Sequence, residues 1–280
     1  MEVSTNAGYG ADRKIFNFQN IKDKSNIFGG KLSEFANSAF VPVILIITWQ
    51  LLSNAGVIYE VILPSPLKVV KGFLEMVENG TLWIDIVVSG KRVLIGSFWG
   101  IIIGMAFGVI SGLSKIVERI LEPIVNVIRQ IATLAWIPLI ILWFGIGEFS
   151  KELIIAKAVL VPVYLNTLRG MKEVSKSYTE LSQVLELNRW TYLSKIVFPS
   201  AAPIIFTGLR LAIGNAWQAV VAAEMLGGLT GLGYALLNAK DFVRSDKLIA
   251  LMIVIALIGM VLDALLQLLE KKIFSWKYAV

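Results

Sequence analysis

The stretch VLIGSFWGIIIGMAFGVISGLS, residues 93–114, decides the fold class. It holds 22 residues without a charged side chain, and about 20 mostly apolar residues are enough for a helix to cross the hydrocarbon core of a membrane. Glycine recurs at every fourth position within it. At 3.6 residues per turn such glycines form one ridge, which lets another helix approach closely in lipid. The predicted packing ridge consists of Gly96, Gly100, Gly104, Gly108 and Gly112.

The composition of the 280-residue chain also points to a membrane protein. Hydrophobic residues make up 56% of it and charged residues 16%, against about 25% charged in an ordinary soluble domain. Cysteine and histidine are absent. Their absence excludes disulfides, thiolate nucleophiles, Cys/His zinc sites and Ser-His-Asp triads, and the sequence predicts no metal site.

Five further apolar stretches bring the predicted number of transmembrane helices to six, which defines an all-α integral membrane protein. The last three contain one ionisable residue each, Lys157, Arg210 and Asp263, and we expect Lys157 to reach the outer end of its helix by snorkelling. Lys and Arg are more frequent on the side of the N-terminal tail, so both termini are expected in the cytoplasm. The sequence thus predicts a multi-pass protein of the inner or plasma membrane. The five stretches are residues 36–59, 130–147, 153–168, 196–223 and 248–269.

Three regions follow from these spans. Residues 1–35 are polar, lack the apolar core of a signal peptide and are predicted to form a cytoplasmic tail. Residues 36–272 form the transmembrane domain, with a cytoplasmic loop over 169–199, and residues 273–280 form a second cytoplasmic tail. The spacing of apolar residues between 67 and 77 predicts a short amphipathic helix at the outer surface.

Six residues of the third and fifth spans are candidates for lining a pathway. Pro138 is expected to kink its helix, because it removes a backbone donor. Arg210 is a possible internal counter-charge, with snorkelling to the interface as the alternative, and an interfacial position is the alternative for Glu224. Both tryptophans have packing or membrane-interface positions as alternatives. The six are Trp136, Pro138, Trp143, Arg210, Asn215 and Glu224.

The loop 169–199 is the longest polar stretch after the tail. Its apolar residues predict a short amphipathic helix, followed by a second segment, a helix break at Pro199 and Pro203, and the fifth span. A helix–turn–helix at the membrane face is suited to insertion into a groove of a partner. The chain contains no GxxxxGK[ST] sequence, so an ATP-driven process would need a partner with the nucleotide site.

This loop resembles the EAA loop of ABC importer permeases, whose pattern is Glu-Ala-Ala, three residues, Gly, nine residues and Ile-x-Leu-Pro. Glu180, Ile196 and Pro199 stand at the matching positions. Two alanines of the pattern are replaced by Leu181 and Ser182, its glycine by Glu186 and its leucine by Phe198. The predicted ATPase-coupling residues are Glu180, Leu181, Ser182, Leu185, Glu186, Arg189, Ile196 and Pro199.

Other segments resemble the nitrate/sulfonate/taurine branch of the same family: residues 134–139, 143–147, 206–211, 221–225, 231–234 and 239–242. The resemblance covers residues 63–272 and implies the type I importer permease fold. It further implies two permease copies around one pathway, two cytoplasmic ATP-binding cassette subunits and an extracellular solute-binding protein. By this resemblance, the ATPase would use ATP and Mg, and this chain would bind no cofactor. No nucleic acid is expected as a partner. The implied solute is a small anion such as an aliphatic sulfonate, taurine or nitrate.

Three alternatives stay open from the sequence. Another small metabolite, such as bicarbonate or a thiamine precursor, is compatible with the same permease family. An ion-coupled secondary transporter would show inverted repeats and pathway acids, neither of which is evident. An intramembrane enzyme would need paired carboxylates or Ser/Lys chemistry, and no paired intramembrane carboxylates are evident. Loss of transport when a partner ATPase is disabled distinguishes the importer from the ion-coupled transporter.

Overall fold

The computed structural model describes residues 40–56, 59–174, 178, 180, 182 and 184–274. The predicted tail over residues 1–35, most of the tail over 273–280 and the coupling residue Leu181 lie outside this part of the chain. The chain divides into two units, residues 1–58 and 59–280. In the first, the described residues form helix α1 (Phe40–Asn54), which is apolar and shorter than a full span.

The second unit is built from helices, and no strand occurs among the described residues. Four helices are long and apolar enough to cross a membrane, namely α3, α6, α7 and α9, and the bent pair α4–α5 is the candidate for a fifth crossing. The predicted all-α membrane fold is confirmed. The helices are α2 (Pro66–Glu78), α3 (Thr81–Leu113), α4 (Lys115–Gln130), α5 (Thr133–Phe144), α6 (Glu148–Lys172), α7 (Arg189–Gly227), α8 (Leu232–Asp241) and α9 (Ser245–Ile273).

The predicted surface helix over residues 67–77 is present as α2. Ser65 caps it, because its side-chain oxygen accepts a hydrogen bond from the backbone N–H of Lys68, and Pro66 occupies the first turn, where no backbone donor is needed. One face is buried through Val69, Gly72 and Met76.

The glycine ridge of α3 lies directly against α6. A Cβ atom built on Gly96 would stand 2.6 Å from Ile155 Cβ, and one on Gly108 would stand 2.6 Å from Thr167 Cβ. Contacts therefore advance in the same direction along both helices, so α3 and α6 are parallel. We call the end where these helices begin the α8 end, and the end where they finish the loop end.

The third predicted span is interrupted, and the expected position of its break is wrong. We expected residues 130–147 to form one helix kinked at Pro138. Instead α4 and α5 meet at 99°, with Ile131 and Ala132 in extended conformation between them. Pro138 lies inside α5. The bend falls where the charged, amphipathic α4 gives way to an uncharged helix of 12 residues, which rises only about 18 Å and cannot span the membrane alone.

The expected helix break at Pro199 and Pro203 is also wrong. Helix α7 is continuous over 39 residues. It passes Pro199 through a wider π-helical turn over Leu193–Val197, in which the Phe198 N–H donates to the carbonyl of Leu193. This turn ends directly before the proline that lacks a backbone donor. Because α6 continues to Lys172 and α7 begins at Arg189, the connection is shorter than the predicted loop over 169–199.

Candidate functional site

An ion-pair network with a buried centre, formed by Ser89, Arg92 and Glu224, lies at the α8 end. We call it the Arg92 network; it consists of Ser89, Arg92, Glu148, Glu224 and Thr230. Arg92 on α3 is 2% exposed, and its guanidinium pairs with Glu148 on α6 through two hydrogen bonds of 2.6 and 2.7 Å. It also donates to Glu224 at 2.6 Å and to the carbonyl and hydroxyl of Thr230 at 2.7 and 2.9 Å. All five guanidinium N–H groups thus have acceptors.

Glu224, near the end of α7, is fully enclosed at 0% exposure. Its carboxylate accepts hydrogen bonds from Arg92, from the Ser89 hydroxyl and from the backbone N–H of Gly233. Glu224 is thus paired with Arg92 inside the bundle, three residues before the end of α7, and its predicted interfacial depth stays a prediction. The pathway role predicted for Glu224 would require this carboxylate to become exposed in another state.

The glycine-rich connection between α7 and α8 wraps around this carboxylate. Gly231 has a φ of +105°, and a Cβ atom there would stand 2.3 Å from a Glu224 carboxylate oxygen. Its backbone N–H donates to Asp85 on α3, and the N–H of Leu232 donates to Ser89. The network consequently fixes α3, α6, α7 and the start of α8 to one another.

Arg210 belongs to a second ion pair, nearer the loop end. Its guanidinium donates to both carboxylate oxygens of Asp263 on α9, at 2.6 and 2.9 Å, and stands 3.8 Å from Glu270. Its charge is therefore balanced by acidic groups of the same chain. Arg210 and Glu224 are about 21 Å apart along α7, so these two predicted pathway residues do not share a site.

The other predicted pathway residues take different positions. Trp143 and Pro138 on α5 and Asn215 on α7 are exposed, whereas Trp136 is half-buried.

The ammonium of Lys157 lies 5.5 Å from the centre of the Trp136 ring. Snorkelling of Lys157 to the outer end is wrong, because this ammonium contacts the Ile131 carbonyl at 3.1 Å, in the bend between α4 and α5.

A third ionic group fixes α2 to the start of α9. Arg244 and Lys247 both lie 2.7 Å from the carboxylate of Glu75, and Arg244 also pairs with Asp246. The hydrogen bond from Arg244, followed by that from Lys247, lowers the pKa of Glu75. The ion pairs of Glu75 therefore contribute fully to stability at pH values above the ordinary pKa of a glutamate. The contribution is lost as the pH falls through the lowered pKa of Glu75 in the folded state. Beside the group lies a cavity of about 620 Å³, lined by Asp85, Thr230, Tyr234, Asn238 and Arg244.

At the loop end, the predicted coupling segment includes helical residues and finishes in a defined cap. Tyr178, Glu180, Ser182 and Val184 are helical. The N–H of Leu187 donates to the carbonyl of Ser182 at 3.0 Å, and Glu186 has a φ of +49°. This is a Schellman arrangement, in which the residue after the helix adopts the left-handed conformation. The side chain of Asn188 then caps α7 by accepting from the N–H of Thr191.

The predicted coupling residues differ in exposure. Ser182 is buried and Ile196 is half-buried. The exposed ones are Glu180, Leu185, Glu186, Arg189 and Pro199. The apolar Val184 and Trp190 are 80% and 76% exposed beside them. The segment thus presents apolar and charged side chains together.

Replacing Glu186 by glycine is expected to preserve or raise stability. A non-glycine residue in the left-handed conformation costs about 1–2 kcal/mol. Glycine avoids this cost, but it loses more chain entropy on folding, which offsets part of the gain. We expect Glu186→Gly to keep or raise the melting temperature in detergent. Glu173→Gly is the matched control, because Glu173 has a φ of −83° and gains no relief. A melting temperature lowered more by Glu186→Gly than by Glu173→Gly would contradict the cap geometry.

The described helices form a membrane-protein fold in which α3 and α6 pack through small residues, and its loop end exposes apolar and charged side chains. Comparison with known proteins identifies the class. The family described as "Binding-protein-dependent transport system inner membrane component" matches residues 100–275. The chain belongs to this family, and the predicted resemblance to ABC importer permeases is confirmed.

Relatives in three organisms are similar over most of their length. The chain is 35% identical to an aliphatic sulfonates transport permease protein of Bacillus subtilis, covering 89% of this chain and 90% of the relative. It is 33% identical to the taurine transport system permease protein of Escherichia coli, covering 83% and 86%. It is 34% identical to a nitrate import permease protein of Synechocystis, covering 81% and 85%.

Two solved structures share the fold. An amino acid ABC transporter chain matches with a TM-score of 0.60 at 18% identity, covering 71% of this chain and 98% of that one. A chain of the MetNI methionine ABC transporter, in an inward-facing conformation, matches with a TM-score of 0.55 at 18% identity, covering 67% and 97%. The type I importer permease fold predicted from the sequence is thereby confirmed.

The Arg92 network was missed by sequence reasoning. Arg92 directly precedes the uncharged stretch over 93–114, so its place in the sequence indicates a loop before a span, whereas it lies inside α3. One signal in the sequence could have indicated the network. Glu148 and Glu224 stand at the ends of apolar segments, as Arg92 does, and their charge is opposite to that of Arg92. Sequence alone does not show which of these charges meet.

Proposed function

We propose that this permease forms the translocation pathway of an ATP-driven importer for a small anion such as an aliphatic sulfonate, taurine or nitrate. The observation that carries the proposal is the similarity, over more than 80% of the chain in each case, to permeases named for aliphatic sulfonates, taurine and nitrate. Both termini and the loop end face the cytoplasm in this proposal, and the α8 end faces the solute-binding protein.

The proposed assembly contains two copies of this permease, two ATP-binding cassette subunits and one solute-binding protein. The exposed Val184, Leu185 and Trp190 support a docking surface at the loop end. The chain would bind no cofactor itself, since its sequence lacks a phosphate-binding loop, and ATP with Mg would be held by the ATPase.

Helix α7 offers a direct mechanical connection between the two ends. It begins at Arg189, beside the coupling segment, and reaches Glu224 about 53 Å further along. A movement of the coupling segment on ATP binding would be carried by this helix to the Arg92 network and to the glycine-rich connection before α8. Alternating access requires such an element with two arrangements, whose relative stability the partner changes.

Reversing the charge of Glu180 is expected to weaken attachment of the ATPase without unfolding the permease. Glu180 is exposed and helical, and an acidic side chain in the first turn is worth only about 0.3–1 kcal/mol to a helix. We expect Glu180→Arg to lower recovery of the ATPase with tagged permease severalfold, at an unchanged melting temperature. Glu78→Arg, a charge reversal at the exposed end of α2, serves as the control. Full ATPase recovery and normal uptake in Glu180→Arg would refute the coupling role.

The solute class is tested by uptake in cells that lack the chromosomal permease gene. Radiolabelled taurine, ethanesulfonate and nitrate are offered with the complete transporter, and again with an ATPase subunit that cannot hydrolyse ATP. The proposal expects uptake of at least one of the three solutes, and its loss with the inactive ATPase. Uptake that persists with the inactive ATPase and follows an ion gradient would establish the ion-coupled alternative.

A further inference from the structure

Lys157 carries a positive charge inside the membrane span. It lies nine residues after the first residue of α6, about 14 Å along the helix. Gly100 marks the same level on α3, since it packs against the carbonyl of Ala156. That level is about 10 Å inside the uncharged stretch over residues 93–114. A charge at this depth is expensive and marks a functional site by default.

The contacts of Lys157 leave its charge uncompensated. Its ammonium donates to the carbonyl of Ile131 at 3.1 Å and to the hydroxyl of Thr133 at 3.4 Å. Among the ion pairs of the described residues, none includes Lys157, whereas Arg92, Lys151 and Arg210 each pair with a carboxylate. Two neutral acceptors and the Trp136 ring hold the ammonium in place without neutralising it.

The surroundings of Lys157 are unsuited to lipid. Ile131 and Ala132 are exposed and extended, between two helices that meet at 99°. Irregular backbone at membrane depth is tolerated only where it is buried in protein or lines a water-filled space. The bend between α4 and α5 therefore belongs to a protein-enclosed or aqueous region, and the lysine is directed into it.

We propose that Lys157 contacts the transported anion at the bend between α4 and α5 and contributes to selection of solute charge. The assignment rests on the proposed function, anion import. It replaces Arg210 as the internal counter-charge, because Arg210 is already paired with Asp263. A lysine ammonium suits a sulfonate or nitrate oxygen as a point charge, and Thr133 adds a hydroxyl within reach of the same place.

The first test measures uptake kinetics of the complete transporter with whichever of taurine, ethanesulfonate and nitrate the native protein imports. Lys157→Met is expected to raise KM or lower kcat/KM roughly ten- to a hundredfold, the range for loss of a hydrogen bond to a charged group. Lys157→Arg should retain most of the activity. Lys71→Met, which removes an exposed lysine of α2, should leave uptake unchanged. Unchanged kinetics in Lys157→Met, with native uptake present, would overturn the proposal.

The second test does not depend on the identity of the solute. Because the chain contains no cysteine, Lys157→Cys introduces a unique thiol. In the assembled transporter this thiol should react with the water-soluble anion 2-sulfonatoethyl methanethiosulfonate, and an excess of the imported solute should slow the reaction. Ile102→Cys is the control at similar depth on α3, where the apolar side chain is 44% exposed, and it should stay unreactive.

The two tests separate the two proposals. A native transporter that imports none of the three anions would refute the proposed solute class, and the labelling experiment would still decide the position of Lys157. A Lys157→Cys thiol no more reactive than that of Ile102→Cys would overturn the assignment of Lys157, whatever the solute.

Discussion

Replacing Glu224 by glutamine is expected to cost about 3 kcal/mol of stability, the lower end of the range for removing one partner of a buried ion pair, because Arg92 keeps its pair with Glu148. Arg92 would keep its charge at 2% exposure and lose its second carboxylate. An amide would also present a donor toward the Gly233 N–H, which now donates to the Glu224 carboxylate at 2.9 Å. For a protein of this size the loss corresponds to a melting temperature about 10 °C lower, measurable by size-exclusion chromatography of detergent-solubilised protein after heating.

Two further variants make the Glu224 result specific. Glu122→Gln, the same substitution at an exposed residue of α4, should leave the melting temperature unchanged. The double variant with Arg92→Met should lose less stability than the sum of the two single variants, because each single variant already loses the interaction between Arg92 and Glu224. Additive losses, or a Glu224→Gln protein as stable as the native one, would show that the buried pair is not what fixes the α8 end.

Replacing Gly100 by alanine is expected to have the second largest effect. The added Cβ atom would stand 2.6 Å from the carbonyl oxygen of Ala156 and 2.7 Å from the Cβ atom of Val159. Both atoms belong to α6, and neither is the free end of a flexible side chain. The two helices would have to separate along the ridge, and we expect a loss of about 2–3 kcal/mol, near the upper end of the usual cost of overpacking.

Gly90 provides the matched control on the same helix. A Cβ atom there meets nothing within 4 Å, and alanine is a better helix former than glycine by about 1 kcal/mol. Gly90→Ala should therefore leave the melting temperature unchanged or raise it. Equal melting temperatures for Gly90→Ala and Gly100→Ala would mean that α3 and α6 are not in close contact in the protein.

The parts of the fold that the sequence predicted depend on local patterns. Uncharged length identified the membrane helices, four-residue glycine spacing identified the face of α3 that meets α6, and helical spacing identified α2. The match to the pattern of the EAA loop, together with six other segments, identified the family. Each of these signals lies within one segment and does not require knowledge of which segments meet.

The errors concern features that depend on contacts between segments. Pro138 was expected to kink its helix and Pro199 to break one, but the bend falls at Ile131–Ala132 and a π-helical turn carries α7 past Pro199. A proline removes one donor, and neighbouring backbone can compensate in ways that composition does not show. Glu186 replaces the glycine of the family pattern, yet the structure retains the left-handed conformation that glycine favours.

The partners of charged residues in the apolar segments were the hardest feature to predict from the sequence. Arg92 looked like a loop residue and Arg210 like a free counter-charge, yet both are paired with acidic residues distant in sequence. Lys157 looked like a residue of the outer interface and instead lies at a bend without a carboxylate partner among the described residues. The cost of a charge in the membrane depends on its partner, and partners are revealed only by the folded chain.

The central claim, that this permease works with a separate ATPase, is tested most directly by purifying the tagged protein from its own membrane under gentle conditions. Mass spectrometry then identifies and quantifies the chains that accompany it. We predict an ATP-binding cassette subunit in about equal amount, with ATP-dependent uptake by the purified complex in vesicles. Intact permease that reproducibly purifies alone and transports solute without ATP would contradict the account.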